Sequence, residues 1–120
     1  MRSLNNPREL TLIIAEAKDA VDRIISDKEM AQSFRNESIW MFLCNALARY
    51  EKEIEIIISA FDGECTPEEA FDKYTSAEIV RLFKSIREDE LFEELVQLFI
   101  SALKKKVASS SGTAQAATPV

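Results

Sequence analysis

The sequence predicts an all-α fold: a compact helical bundle of three long and two to three short helices around a central buried helix. Three observations carry that expectation. Helix-capping patterns recur along the chain, apolar residues return at a spacing of three and four, and only two glycines and three prolines punctuate 120 residues. Each cap is worth about 1 kcal/mol to the helix it opens, so the recurring caps leave little room for strands.

The first helix is expected over Pro7–Ile25. Asn6 is a natural cap, Pro7 sits where its missing amide costs nothing, and Glu9 follows three residues after the cap. Leu10, Ile13, Ile14, Ala17, Val21, Ile24 and Ile25 form one stripe, with Glu16, Asp19, Asp22 and Arg23 outside it. Ser26 with Glu29 then fits a capping box for a short helix, Asp27 to Arg35, anchored by Met30 and Phe34.

The central helix is expected from about Glu37 to Phe61, stopping at Asp62-Gly63. Ile39, Phe42, Leu43, Ala46, Leu47, Tyr50, Ile54, Ile57, Ile58 and Phe61 share one broad face. In the first three turns Trp40, Met41, Cys44 and Ala48 fill much of the remaining circumference, while Glu51, Lys52, Glu53 and Glu55 charge the outer surface further on. A helix apolar all round is a buried one. Its start is therefore expected in the core and its end at the surface, with the Trp40–Met41 side as a partner surface the alternative. Asn45 and the charges after it leave far fewer than the ~20 apolar residues of a membrane span.

Thr66 with Glu69 and Thr75 with Glu78 fit two further boxes, opening a short helix at Pro67–Lys73, held by Ala70 and Phe71, and another from Ser76. No glycine or proline occurs between Ser76 and Val107, but the apolar phase shifts. Ile79, Leu82, Phe83 and Ile86 lie roughly 120–170° from Leu91, Leu95, Leu98 and Ala102. A break is expected near Arg87-Glu88-Asp89, with Asp89 capping a last helix that is acidic at its start and ends in Lys104, Lys105 and Lys106, both favourable against the helix dipole. Ala108–Val120 carries no charge and little apolar bulk, so 1–107 reads as a single helical domain and 108–120 as a flexible Ala/Ser/Thr-rich tail.

Fifteen basic against 21 acidic residues give a net charge of −6, a field that opposes nucleic acid except at a local patch and favours solubility. Two cysteines, Cys44 and Cys65, in a chain with this much core suit reduced thiols in a cytoplasm. The apolar run Leu10–Ala15 is too short for a secretory leader.

No histidine is present, which removes His-based triads, Cys–His pairs and HExxH zinc sites together. Cysteines 65 and 44 form no CxxC, and no phosphate-cradling glycine loop occurs, so neither metal nor cofactor is expected. Glu51 with Glu55, and Glu90 with Glu94, could in principle act as acid–base pairs, but they read as solvated faces. Cys65, in a turn ahead of a helix, has no basic neighbour in sequence to activate it.

The basic residues form two groups: Arg81, Lys84 and Arg87 on one helix, and Lys104, Lys105 and Lys106 at the end of another. If they meet, they could hold a few phosphates; otherwise they serve the helix dipole and the solvated surface. In size, helical layout and these small basic patches, with Ile39-Trp40-Met41-Phe42-Leu43 in the core, the chain resembles the small subunit of archaeal type I CRISPR interference complexes. That resemblance implies a role bridging larger protein subunits and supporting guide RNA or target DNA; the acidic net charge departs from it. The leading expectation is a non-catalytic helical subunit of a larger assembly, docking through Trp40 and Met41. The alternative is an acidic regulator, inhibitor or chaperone that covers a basic protein surface.

Overall fold

The computed structural model describes residues 1–91 together with 93, 94 and 97. Asn6 opens α1 (Pro7–Ile25) as its carboxamide oxygen accepts the amides of Arg8 and Glu9 at 3.0 and 3.2 Å. The buried side of α1 is Ile13, Ala17, Ala20, Val21 and Ile24, the spacing that the sequence shows. α2 (Lys28–Asn36) follows, and here the expected Ser26–Glu29 box is corrected. Asp27 is the cap, accepting from Glu29 and Met30 at 3.0 and 3.4 Å, while the Ser26 hydroxyl turns back onto the Asp22 carbonyl and closes α1. A carboxylate one residue later gives the stronger, charge-assisted cap, so it takes the position.

α3 (Ile39–Asp62) begins two residues later than expected, at a Ser38 cap, and departs from helical dihedrals at Tyr50 (φ −132°, ψ 41°). It ends on Gly63 in the left-handed region at φ 84°. The left-handed φ favours glycine there, and the Arg2 side chain packs against it, where a Cβ would lie 2.7 Å from Arg2 Nε. A 3-10 turn (Pro67–Glu69) leads into the short α4 (Ala70–Lys73), and α5 (Ser76–Glu88) starts at the expected Thr75–Glu78 box. Asp89 is extended and ends α5, and its carboxylate accepts the Leu91 amide at 2.9 Å. The break demanded by the apolar phase therefore falls where it was expected, and Glu90 and Leu91 are helical again. Glu93, Glu94 and Gln97 are helical too, while the other residues of the expected last helix and the tail from 108 lie outside the described residues.

The core gathers α1, α2, α3 and α5 around Phe42, whose ring meets Phe34 edge-on at 4.9 Å and Phe83 at 6.1 Å. The 3-10 turn and α4 lie against α3. The first residues strap the end of α3: the Arg2 amide donates to the Phe61 carbonyl at 2.6 Å, and its guanidinium donates to the Ala60 carbonyl at 2.9 Å and to the Glu16 carboxylate. This is an all-α bundle with α3 at its centre.

Candidate functional site

The sequence places the buried part of α3 at its start; the structure reverses this. Ile54, Ile57, Ile58, Ser59, Ala60, Phe61 and Asp62 are buried, nearly all round the helix, whereas only Ile39, Phe42, Leu43 and Ala46 are buried in the first half. Trp40 is 59% exposed, Met41 53% and Leu47 38%, and Cys44 and Ala48 are exposed beside them. The cause is what lies on each half. The Arg2 strap, the 3-10 turn and α4 gather around the later half of α3, and Ala70 is fully buried there. Over the first half, α2 and α5 meet α3 on the Phe42 side, through Phe34 and Phe83.

The result is a two-turn apolar stripe, Trp40, Met41, Cys44, Leu47 and Ala48, on a convex helix face. Its residues are three, four and seven apart, so they are neighbours on the surface. Scattered apolar side chains are ordinary on a protein surface; here the five lie side by side on one face of α3.

The basic residues divide. Arg81 and Lys84 are exposed and, among the described residues, make neither an ion pair nor a side-chain hydrogen bond. Arg87 is corrected from surface cation to staple: it is half-buried and donates to the Glu37 carbonyl at 2.6 Å, binding the end of α5 to the start of α3. Lys104, Lys105 and Lys106 lie outside the described residues.

The carboxylate pairs differ in exposure. Glu51, Glu90 and Glu94 are exposed. Glu55 is half-buried, and burial, with the charges of Glu51 and Glu68, raises its carboxyl above the ordinary range. Among the described residues, no cluster of Cys, Asp and Glu could hold a metal ion, and no helix is long and apolar enough to cross a membrane.

A polar centre that the sequence did not show is the latch at the end of α3. Asp62 is 7% exposed; its Oδ1 accepts the amides of Glu64 and Cys65 at 2.9 and 2.8 Å, and its Oδ2 accepts Lys73 Nζ at 2.8 Å and the Tyr74 hydroxyl. Burial opposes the charge on Asp62, but these four donors outweigh it and hold the carboxyl well below the ordinary range. The Tyr74 phenol is pushed up by burial and then by its bond to Asp62. The Cys65 thiol is pushed up by burial and by the Asp62 charge, the opposite of an activated nucleophile. The only sequence signal was Asp62 ahead of Gly63, which reads as a helix stop and does not announce that Lys73 and Tyr74 return to it.

Two hollows complete the surface. A cavity of about 60 Å³ between α1 and α2 is lined by apolar side chains such as Ile14, Val21 and Phe34. A shallow groove of about 380 Å³ separates the first residues from α5, with Arg81, Ser85 and Glu78 on its rim. Comparison of the chain with family models, with curated proteins and with solved structures gave no match.

Proposed function

We propose that the chain is a non-catalytic helical subunit that docks into a larger assembly in the cytoplasm, with Trp40 and Met41 at the centre of its contact face. The exposed Trp40–Met41–Cys44–Leu47 stripe carries the reading, because α3 leaves it uncovered while burying its own later half. Tryptophan is among the residues most concentrated in the energetic centres of interfaces, and no feature of the described surface offers a comparable alternative.

A more specific form of the proposal is a small subunit of a CRISPR ribonucleoprotein, bridging larger subunits and touching guide RNA or target DNA through Arg81 and Lys84. The exposure of these two cations supports it, since an acidic chain can meet phosphate only through local surface cations. The test is affinity purification from the native cells of tagged wild type and of Trp40→Glu. Recovery of several larger subunits with a short RNA, lost on Trp40→Glu, is the expected result. One basic protein without RNA would instead make the chain an acidic regulator, and capture unchanged by Trp40→Glu would refute the docking face.

A further inference from the structure

We infer that the apolar cavity between α1 and α2 is the seat of the chain's own segment 92–106, laid across it with Leu95 and Phe99 turned toward the floor. The inference goes beyond the docking reading and stands on different residues.

The cavity suits side chains rather than a ligand. Ile14 and Val21 of α1 and Phe34 of α2 wall it, over a floor of Phe42 and Ile57 from α3 and Phe83 from α5. The three floor residues are buried, whereas Ile14 and Phe34 are only half-buried, so the cavity opens at the surface. Its volume of about 60 Å³ is far below the ~300 Å³ at which small-molecule sites begin. Among the described residues its walls and floor are apolar, so water entering it finds no hydrogen-bond partners. What fits is one or two large apolar side chains carried by a backbone that stays at the surface.

Two described features select the occupant. The first is place. Ile86 lines the cavity, and Asp89 ends α5 three residues later. The Asp89 carboxylate accepts the Leu91 amide at 2.9 Å and its carbonyl accepts the Glu93 amide at 3.1 Å, so a new helical turn begins beside the cavity. Leu91 is half-buried against the core.

The second is phase. Glu90, Glu93, Glu94 and Gln97 are helical and exposed, and they lie three, four and seven apart, which makes them one outer face. The helical repeat then sets Leu95, Phe99 and Ala102 on the opposite face, in line with the half-buried Leu91. Length agrees as well. Leu10 and Ile25 both line the cavity, and the stretch of α1 between them spans about 25 Å, the helical length of the segment from Glu90 to Lys106. Lys18 and Arg35, exposed at the edge of the cavity, add positive charge beside a segment that begins with three glutamates. The Trp40 stripe is a poorer seat, because Trp40 lies about 200° around α3 from Phe42. With the cavity filled from within the chain, that stripe remains open to an assembly partner.

The test is solution NMR of the full chain. Expected are nuclear Overhauser contacts from Leu95 and Phe99 to Ile14, Val21 or Phe34, and none to Trp40 or Leu47. Leu95→Asp and Phe99→Asp each lower the thermal midpoint and raise the fluorescence of the apolar dye anilinonaphthalene sulfonate several-fold. Gln97→Asp, on the outer face, does neither. Circular dichroism of each variant separates an emptied seat from an unfolded chain. Leu95 and Phe99 without contacts to the cavity, contacts from them to Trp40 instead, or a Leu95→Asp variant no more affected than Gln97→Asp would each overturn the inference. Docking through Trp40 is read separately, by the Trp40→Glu purification, so each proposal can fail while the other stands.

Discussion

The Tyr50 hydroxyl donates to the Asp27 carboxylate at 2.9 Å, tying the non-helical residue inside α3 to the cap of α2. Its neighbour Arg49 reaches the same end of α2, donating to Glu29 at 2.9 Å and to Asp27 at 3.5 Å. Consecutive side chains on a straight helix diverge by about 100°. The departure from helical dihedrals at Tyr50 lets both converge on one helix start. Tyr50 therefore both disturbs its own helix and secures the start of the preceding one.

Tyr50→Phe is expected to lower the thermal midpoint and to speed amide exchange at Glu29 and Met30. The pH dependence has a definite sign. The Asp27 carboxyl is lowered by its bond from Tyr50, so its contribution is full above the unfolded value of about 3.9 and is lost as pH falls through the folded one. The Tyr50 phenol is raised by the bond to Asp27, so its contribution is full below about 10 and is lost as pH rises through the folded value. The gap between wild type and Tyr50→Phe should be widest between those limits. A gap independent of pH would mean that the bond adds nothing beyond packing.

Asp62→Asn tests the latch. The amide can still accept from Glu64 and Cys65, but its NH2 then faces Lys73, which has only protons to offer, and Tyr74, whose hydroxyl must turn to accept. A loss of about 2 kcal/mol is expected at pH 7, the scale of a charge-assisted hydrogen bond left unmade. The folded carboxyl lies below its unfolded value, so wild-type stability is retained above about pH 4 and lost as pH falls below it. Urea midpoints should differ most at neutral pH and converge in acid. Equal midpoints at pH 7 would remove the latch from the stability of the fold.

The two thiols should be distinguishable by rate. Cys44 stands exposed on α3, while Cys65 is half-buried with a thiol pushed up by burial and Asp62. Maleimide labelling followed by peptide mapping is expected to modify Cys44 first by a wide margin. In Asp62→Asn the charge that suppresses the Cys65 thiolate is gone, so that site should accelerate relative to Cys44.

Local rules made most of the fold legible. Asn6, Thr75 and Gly63 act over three or four residues, and each sits where the capping and stop patterns place it. The apolar phase shift located the Asp89 break for the same reason: it needs only the helical repeat. What failed depended on tertiary arrangement. Trp40 and Ile58 are both apolar residues of α3, and nothing within that helix says that the strap, the 3-10 turn and α4 gather on Ile58's half and leave Trp40 at the surface. Arg87 read as a free cation because its acceptor is a carbonyl 50 positions away. Ser26 lost its cap to Asp27 because two adjacent candidates compete for the same amides and only geometry decides.

Trp40 and Phe42, two residues apart on α3, make the sharpest test of which side of that helix faces outward. Phe42 is 2% exposed between Phe34 and Phe83, and Phe42→Ala is expected to cost about 3–5 kcal/mol, the usual range for an aromatic removed from a core. Trp40 is 59% exposed, and Trp40→Ser should change stability by no more than about 0.5 kcal/mol. Because Trp40 is the chain's one tryptophan, intrinsic fluorescence reports on this face alone. At low concentration the emission should be that of a hydrated indole, open to acrylamide. It should shift to the blue and become protected when an assembly partner covers the face. A large stability loss in Trp40→Ser, with protected emission at every concentration, would place Trp40 in the core and return α3 to the arrangement that its apolar pattern suggests.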